Sequence, residues 1–383
     1  MSETTRRAEH LVIGGGLAGS TVGIRLAAAG RAVTLLERER SAHHKVCGEF
    51  LSREAVEYLE QLGVNPIALE AQTIRSVRLA VKNRVVETEL PFTALSLSRC
   101  VLDEALLKRA ADVGCAVERG AFVEGLVKHD AGWKAQLRGG ESWLSSAVFL
   151  ASGKHDVRGM ERGPGRHDDL VGFKMHWRLA AAQTESLRDS MDLFLFAGGY
   201  GGLSLVEGDA ANFCFVVRQS VLRRAGGWDG LLNGIQNENR HIAQRLSGAE
   251  ALWERPLAVS SIPYGYIAAG GSGLWCVGDQ AAVIPSFTGD GMSIALHSGA
   301  LAAQMFLAGE GADVYQRRLE RHLQRSMRLA TGLSRAMVSG AGRFVAPIGL
   351  SVFPGAMSWI ARATRIPERA LIETRAFRSQ QMS

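Results

Sequence analysis

Gly14, Gly16 and Gly19 occupy the fixed positions of G-x-G-x-x-G, and Glu37 follows 18 residues after the last of them. These residue types at this spacing hold a dinucleotide. Glycine at 14 permits a tight turn, glycine at 16 lets a pyrophosphate approach the backbone, and glycine at 19 lets a helix lie close on a sheet. The free N–H groups and positive dipole end of that helix then face the phosphates. A carboxylate at Glu37 can accept hydrogen bonds from both ribose hydroxyls.

Three elements must position this set. The apolar run at 11–13 predicts a buried strand, residues 19–29 predict a helix closed by Gly30, and residues 32–36 predict a second strand ending at Glu37. A second constellation lies far downstream. Val277-Gly278-Asp279 ends an apolar run, and Thr288-Gly289-Asp290-Gly291-Met292 opens a predicted helix over 291–307. Gly278 allows close approach, Asp279 can accept from a hydroxyl, and the start of the helix favours negative charge. Between the two lie Arg99, heading a predicted helix in the pattern R-x-x-L-D-x-x-L, and a buried strand over 147–151 that ends in Ser152-Gly153.

The chain has 383 residues, of which 46% are hydrophobic and 21% charged, as expected of a globular protein with a large core. The net charge is +6, the basic residues are spread along the chain, and no nucleic-acid motif accompanies them, so nucleic acid is not an expected partner. Cys47, Cys100, Cys115, Cys214 and Cys276 show no C-x-x-C spacing and no secretory signal precedes the first strand. A reduced, cytoplasmic setting is expected.

Residues 1–167 read as the first part of a nucleotide domain, with a short β insertion near 73–97. Residues 168–262 alternate in long runs and read as a mostly antiparallel sheet, interrupted by one helix over 228–246. Residues 263–312 return to the nucleotide domain, and 313–383 read as mostly helical and Arg-rich. The fold class is α/β: a Rossmann-like domain with an inserted β-sheet domain and a helical C-terminus.

The four motifs in this order resemble the FAD-dependent superfamily of para-hydroxybenzoate-hydroxylase-type monooxygenases, flavin-dependent halogenases and geranylgeranyl reductases. The resemblance covers about residues 8–310. It implies FAD, held by Gly14, Gly16, Leu17, Ala18, Gly19, Glu37 and Arg38 at one end. Gly278, Asp279, Gly289, Asp290, Gly291 and Met292 would hold the other end, with Lys45 and Cys47 in a loop near the ring and Arg99 along the ribose and pyrophosphate. No second G-x-G-x-x-G exists, so NAD(P)H is expected to dock only transiently. Thr288-Gly289-Asp290-Gly291 looks like the T-G-E-G of geranylgeranyl reductases, and Lys45-Val46-Cys47-Gly48 looks like their K-P-C-G. Gly198-Gly199-Tyr200-Gly201-Gly202 looks like the start of their pocket motif G-G-Y-G-W-x-F-P, but Gly202 replaces the tryptophan and Ser204-Leu205 replaces the Phe-Pro pair. The halogenase pattern W-x-W-x-I-P is absent.

Cys47, as a weak acid facing the flavin, and Tyr200, through its hydroxyl, are the candidate catalytic side chains. Lys174 and His176 alternate on one face of a strand and are expected first on its solvent side; the alternative is a buried Lys-His pair able to handle a proton. His43 and His44 are expected to be exposed, His297 to be packed inside, and no metal site is expected. Residues 344–360 are apolar between arginines. They read first as a helix pair closing the core, and second as a peripheral membrane contact. The favoured function is an NAD(P)H-using monooxygenase that hydroxylates a hydrophobic aromatic or polyketide-like metabolite. The alternatives are a reductase of isoprenoid C=C bonds and a non-catalytic flavin-binding redox partner. The oligomeric state is not legible.

Overall fold

The computed structural model describes residues 4–372, apart from 131, 168 and 340–361. The expectation for 344–360 therefore lies outside the described residues. The first layer is a seven-stranded sheet. Thr5–Ile13 lies in its middle, parallel to Val33–Glu37 on one side and to Ser142–Leu150 on the other. Ala116–Arg119 and Trp275–Cys276 extend it in parallel, and the hairpin Val123–His129/Gly132–Leu137 completes it in antiparallel. Leu11, Val12 and Ile13 are buried, as a central parallel strand covered on both faces requires.

The helix Leu17–Ala28 leaves the first strand through Gly14, whose φ is +105°. The helices Arg53–Gln61 and Arg99–Asp112 begin at the side-chain caps Ser52 and Ser98, which accept from Ala55 N and Val101 N. Helix Gly291–Leu307 packs beside Leu17–Ala28, and Gly299 permits the contact: a methyl carbon there would lie 2.6 Å from Ala18 O.

The second layer is a nine-stranded sheet drawn from two stretches of chain. Leu170–Arg178, Ser190–Phe196, Gly199–Leu205 and Ala211–Arg218 form its antiparallel centre apart from one parallel join. That join adds the hairpin Gln72–Val81/Arg84–Ser96, expected as a small insertion of the nucleotide domain, alongside Ser190–Phe196. The helix expected over 228–246 is two, Trp228–Glu238 and Arg240–Arg245. Asn239 leaves helical geometry and caps the second through its side chain, which accepts from Ile242 N. These helices cover the outer face of the sheet through Leu231, Ile235 and Ile242, packed against Phe173, Phe213 and Phe215. The inner face turns toward the nucleotide domain. The 27-residue helix Ala312–Val338 runs along the molecule, its buried side carrying Tyr315, Leu319, Leu323 and Met327.

Candidate active site

A cavity of about 1300 Å³ runs from the glycine turn at 14–16 to the inner face of the second sheet. At its first end a methyl carbon on Gly19 would fall 1.9 Å from Gly14 O, so only glycine lets the helix start here. A methyl on Gly16 would meet only Arg99 Nη2 at 3.4 Å and Lys45 Nζ at 3.7 Å. The turn thus faces the tips of two cationic side chains, a charge arrangement that suits a pyrophosphate. Both cations are held by Asp103: its Oδ1 accepts from Arg99 Nε at 2.8 Å and its Oδ2 from Lys45 Nζ at 2.8 Å. Burial would raise the Asp103 pKa, but the charges of Arg99 and Lys45 bring it below the usual carboxylate range. Asp103 is the fixed aspartate of the R-x-x-L-D pattern, so its position one turn after Arg99 was a readable signal.

Glu37 is buried at the end of its strand, where Oε2 accepts from Gly15 N at 2.7 Å and Oε1 from Glu39 N at 2.9 Å. The carboxylate therefore ties the glycine turn to the strand end, with its remaining lone pairs at the cavity. Leu17, Ala18 and Arg38 line the same end. Gly278, Asp279, Gly289, Gly291 and Met292 line the cavity further on. Asp290 is fully buried behind them, and its Oδ1 accepts from Arg365 Nη1 at 2.6 Å. Burial raises the Asp290 carboxyl to about 6 against the pull of the Arg365 charge.

Cys47 lines the cavity on a loop that is clamped from four directions. Lys45 is held by Asp103, Val46 O accepts from Lys154 Nζ, Cys47 O accepts from Asn212 Nδ2 at 3.2 Å, and Glu49 enters the second sheet. Glu49 has φ +58°, a conformation that few non-glycine residues adopt. Its Oε1 accepts from Lys174 Nζ and from Arg99 N, and its Oε2 lies 3.0 Å from His176 Nε2. Burial would raise the Glu49 pKa, yet the His176 hydrogen bond and the Lys174 charge bring it below the usual value.

This overturns the expected solvent position of Lys174 and His176, which are 0% and 3% exposed. Their strand is covered on one side by helices and on the other by the Cys47 loop, so its alternation does not mark a wet face. His44 is not exposed either: it is half-buried against His176 and Trp253, at ring distances of 4.9 and 4.6 Å. Burial, with Lys174 and His176 close by, lowers its pKa to about 4. His44, Glu49 and His176 place three metal-type ligand atoms within 4.8 Å of one another. The Lys174 ammonium on Glu49 opposes a dication there, and the cluster acts as the anchor of the loop. Glu49 is the residue that pattern reading missed, while Lys174 and His176 form the buried pair that was the second choice for their strand.

The far half of the cavity is walled by Leu79, Leu193, Leu195, Ile262 and Met337. Tyr200 and Tyr264 bring hydroxyls into this apolar wall; Tyr200 Oη lies 3.2 Å from Ser334 Oγ. Burial raises the pKa of both tyrosines, so both are neutral donors. Cys214 also lines the chamber, its thiol pushed up to about 12 by burial. His297 lies away from the cavity in a buried chain with Tyr58 and His322.

A dinucleotide-type turn, a second Gly-Asp turn and a substrate-sized chamber under a separate sheet are the features that binding FAD beside a substrate requires. The comparisons with known proteins agree. The FAD binding domain family matches residues 7–146. Among solved structures, the flavin-dependent brominase Bmp2 superposes with a TM-score of 0.75 at 15% identity, over 98% of each chain. A flavoprotein/dehydrogenase from Cytophaga hutchinsonii superposes with a TM-score of 0.74 at 17% identity, over 98% of this chain and 99% of that one. The chain has the fold of the para-hydroxybenzoate-hydroxylase-like FAD superfamily that monooxygenases and halogenases share. Among characterised sequences, the menaquinone reductase of Mycobacterium tuberculosis is 26% identical over 317 residues, covering 78% of this chain and 76% of that protein. The menaquinone reductase of Mycolicibacterium smegmatis is 25% identical over 353 residues, covering 86% and 84%.

Proposed function

We propose that the chain is an FAD-dependent monooxygenase that hydroxylates a hydrophobic ring-bearing metabolite at the expense of NAD(P)H and dioxygen. The observation that carries this reading is the chamber at Gly202. A methyl carbon there would touch Met191 Cε, Leu193 Cδ2 and Asp192 O at 3.6–3.8 Å, ordinary contact distances, so no bulky side chain fills the chamber at the position where geranylgeranyl reductases carry tryptophan. The opening suits a ring in addition to a chain, and the Tyr200 and Tyr264 hydroxyls suit a ring oxygen.

When bound, FAD would accept hydride and activate dioxygen. The chain's own residues supply the rest. Gly14, Gly16, Gly19, Leu17 and Ala18 with Arg99 and Lys45 would hold the pyrophosphate. Glu37 and Arg38 would hold the ribose, and Asp279 the ribityl chain. The start of the helix at Gly291, with Gly289, Asp290 and Met292, would face the ring. Tyr200 would orient substrate, and Cys47, which lines the same cavity, would stand near the bound cofactor. The reaction balances as substrate C–H, dioxygen, NAD(P)H and a proton giving C–OH, water and NAD(P)⁺.

The second reading, reduction of an isoprenoid double bond, is favoured by the menaquinone reductases that match across most of the chain. One experiment separates the two. The FAD-loaded protein is given NADPH and either a long-chain phenol or a polyprenyl quinone, with and without oxygen, and the products are weighed by mass spectrometry. Hydroxylation adds one oxygen atom and needs air. Gain of two hydrogens under argon that persists after the quinol is reoxidised in air marks a reduced C=C bond and establishes the reductase reading instead. Filling the chamber with Gly202→Trp should lower turnover of the phenol at least about tenfold while leaving FAD content unchanged.

A further inference from the structure

Six of the chain's arginines are gathered by one helix. Arg317, Arg318, Arg321, Arg325, Arg328 and Arg335 all belong to Ala312–Val338. At the helical repeat they fall within an arc of about 100° along a rod about 40 Å long. Arg318 is half-buried and the others are exposed. Glu320 and Asp313 lie outside the arc, and among the described residues none of the six is paired with a carboxylate. Arg335 donates to Arg166 O, so its charge too is unneutralised. Such a row is costly in self-repulsion and is not needed by the core, which the opposite side of the helix supplies.

The same helix walls the substrate chamber near its C-terminal end through Leu333 and Met337. A cationic outer face and an apolar chamber wall thus share one element. Among the described residues no helix is long and apolar enough to cross a membrane.

We propose that the arginine face of Ala312–Val338 docks the protein on an anionic lipid bilayer, from which a hydrophobic substrate reaches the chamber. The occupant follows from charge complementarity along the whole helix, and from the apolar chamber behind it. A bilayer with anionic headgroups matches the first and is a reservoir for what fills the second. The choice of a bilayer rests on the hydrophobic-substrate reading given above.

The test uses the full-length, FAD-loaded protein and phosphatidylcholine vesicles with and without phosphatidylglycerol, read by co-sedimentation. The expected result is binding to the anionic vesicles only, weakening as salt is raised. Replacing Arg317, Arg321, Arg325 and Arg328 together by glutamate should lower that binding by at least about tenfold. The control reverses Arg84, Arg223, Arg224 and Arg255, exposed arginines elsewhere, and should keep most of the binding. Circular dichroism and flavin content confirm that both variants fold. Equal loss in both sets would mean net charge alone acts, and would overturn the proposal. So would unchanged binding in the helix variant, or tighter binding of wild type to random-sequence duplex DNA than to the vesicles at the same salt. Vesicle binding reads no chemistry. It can fail while the oxygenase reading stands, and hydroxylation can fail while docking stands.

Discussion

Lys174 and Glu49 meet with both side chains fully buried, joining the second sheet to the loop that carries Cys47. The pair lies between the two halves of the molecule, so it fixes their relation as well as the loop. Breaking it from one side leaves a buried charge without its counterion. Glu49→Gln should therefore destabilise the protein by about 3–5 kcal/mol, and adding Lys174→Met should recover much of that loss. Urea denaturation of the two single variants and the double variant reads this directly. A loss under about 1 kcal/mol in Glu49→Gln would show that water or His176 already compensates the ammonium.

Two glycines of one motif should fail in different ways. A methyl at Gly19 would collide with Gly14 O at 1.9 Å, so Gly19→Ala should disrupt the start of the helix and lower stability by more than about 2 kcal/mol. A methyl at Gly16 meets only the tips of Arg99 and Lys45, so Gly16→Ala should fold normally. In the proposed site it intrudes where the pyrophosphate would lie, and FAD affinity should fall about tenfold or more. Thermal melting of the apoproteins, followed by flavin titration, separates the two effects. Equal melting temperatures for the two apoproteins would contradict the collision at Gly19.

The glycine turn, its strands and the Gly-Asp turn were readable because each depends on residues close in sequence. Glycines at fixed offsets can be recognised without knowing what packs on them. Lys174 and His176 were misjudged for the opposite reason. Alternation shows which residues share a face, but not whether that face meets water or another domain, and here Glu49 arrives from 125 residues away. The hairpin at 72–96 is a similar case: its strand pattern was plain, while its partner, Ser190–Phe196, was not. The break at Asn239 was hidden because asparagine is tolerated inside helices, and only its capping bond shows that the chain restarts there. The arginine stripe needed the uninterrupted length of Ala312–Val338 before its spacing acquired meaning.

His297 gives the pH dependence a definite sign. It is fully buried, with Nδ1 2.7 Å from Tyr58 Oη and Nε2 3.0 Å from His322 Nδ1. Tyr58 Oη in turn accepts from Ile372 N, so the chain of bonds reaches the C-terminal segment. Burial, followed by the neighbouring His322, lowers the His297 pKa from 6.5 to about 3. The unfolded chain therefore binds a proton in this interval that the folded protein refuses. Stability from His297 is complete above 6.5 and drains away as the pH falls toward 3, at up to about 1.4 kcal/mol per pH unit. Asp290 acts with the opposite sign, because its folded pKa of about 6 lies above its ordinary 3.8. Its contribution is complete below 3.8 and is lost as the pH rises through 6. The two slopes oppose each other between pH 4 and 6, so the wild-type profile alone is uninformative. His297→Gln removes one of them. Its stability at neutral pH should be lower because the Tyr58–His322 chain is broken, but its decline from pH 6 to 4 should be shallower than wild type by about 1.4 kcal/mol per unit. Denaturation midpoints of both proteins across that range test the assignment, and parallel profiles would mean that His297 takes up its proton in the folded state.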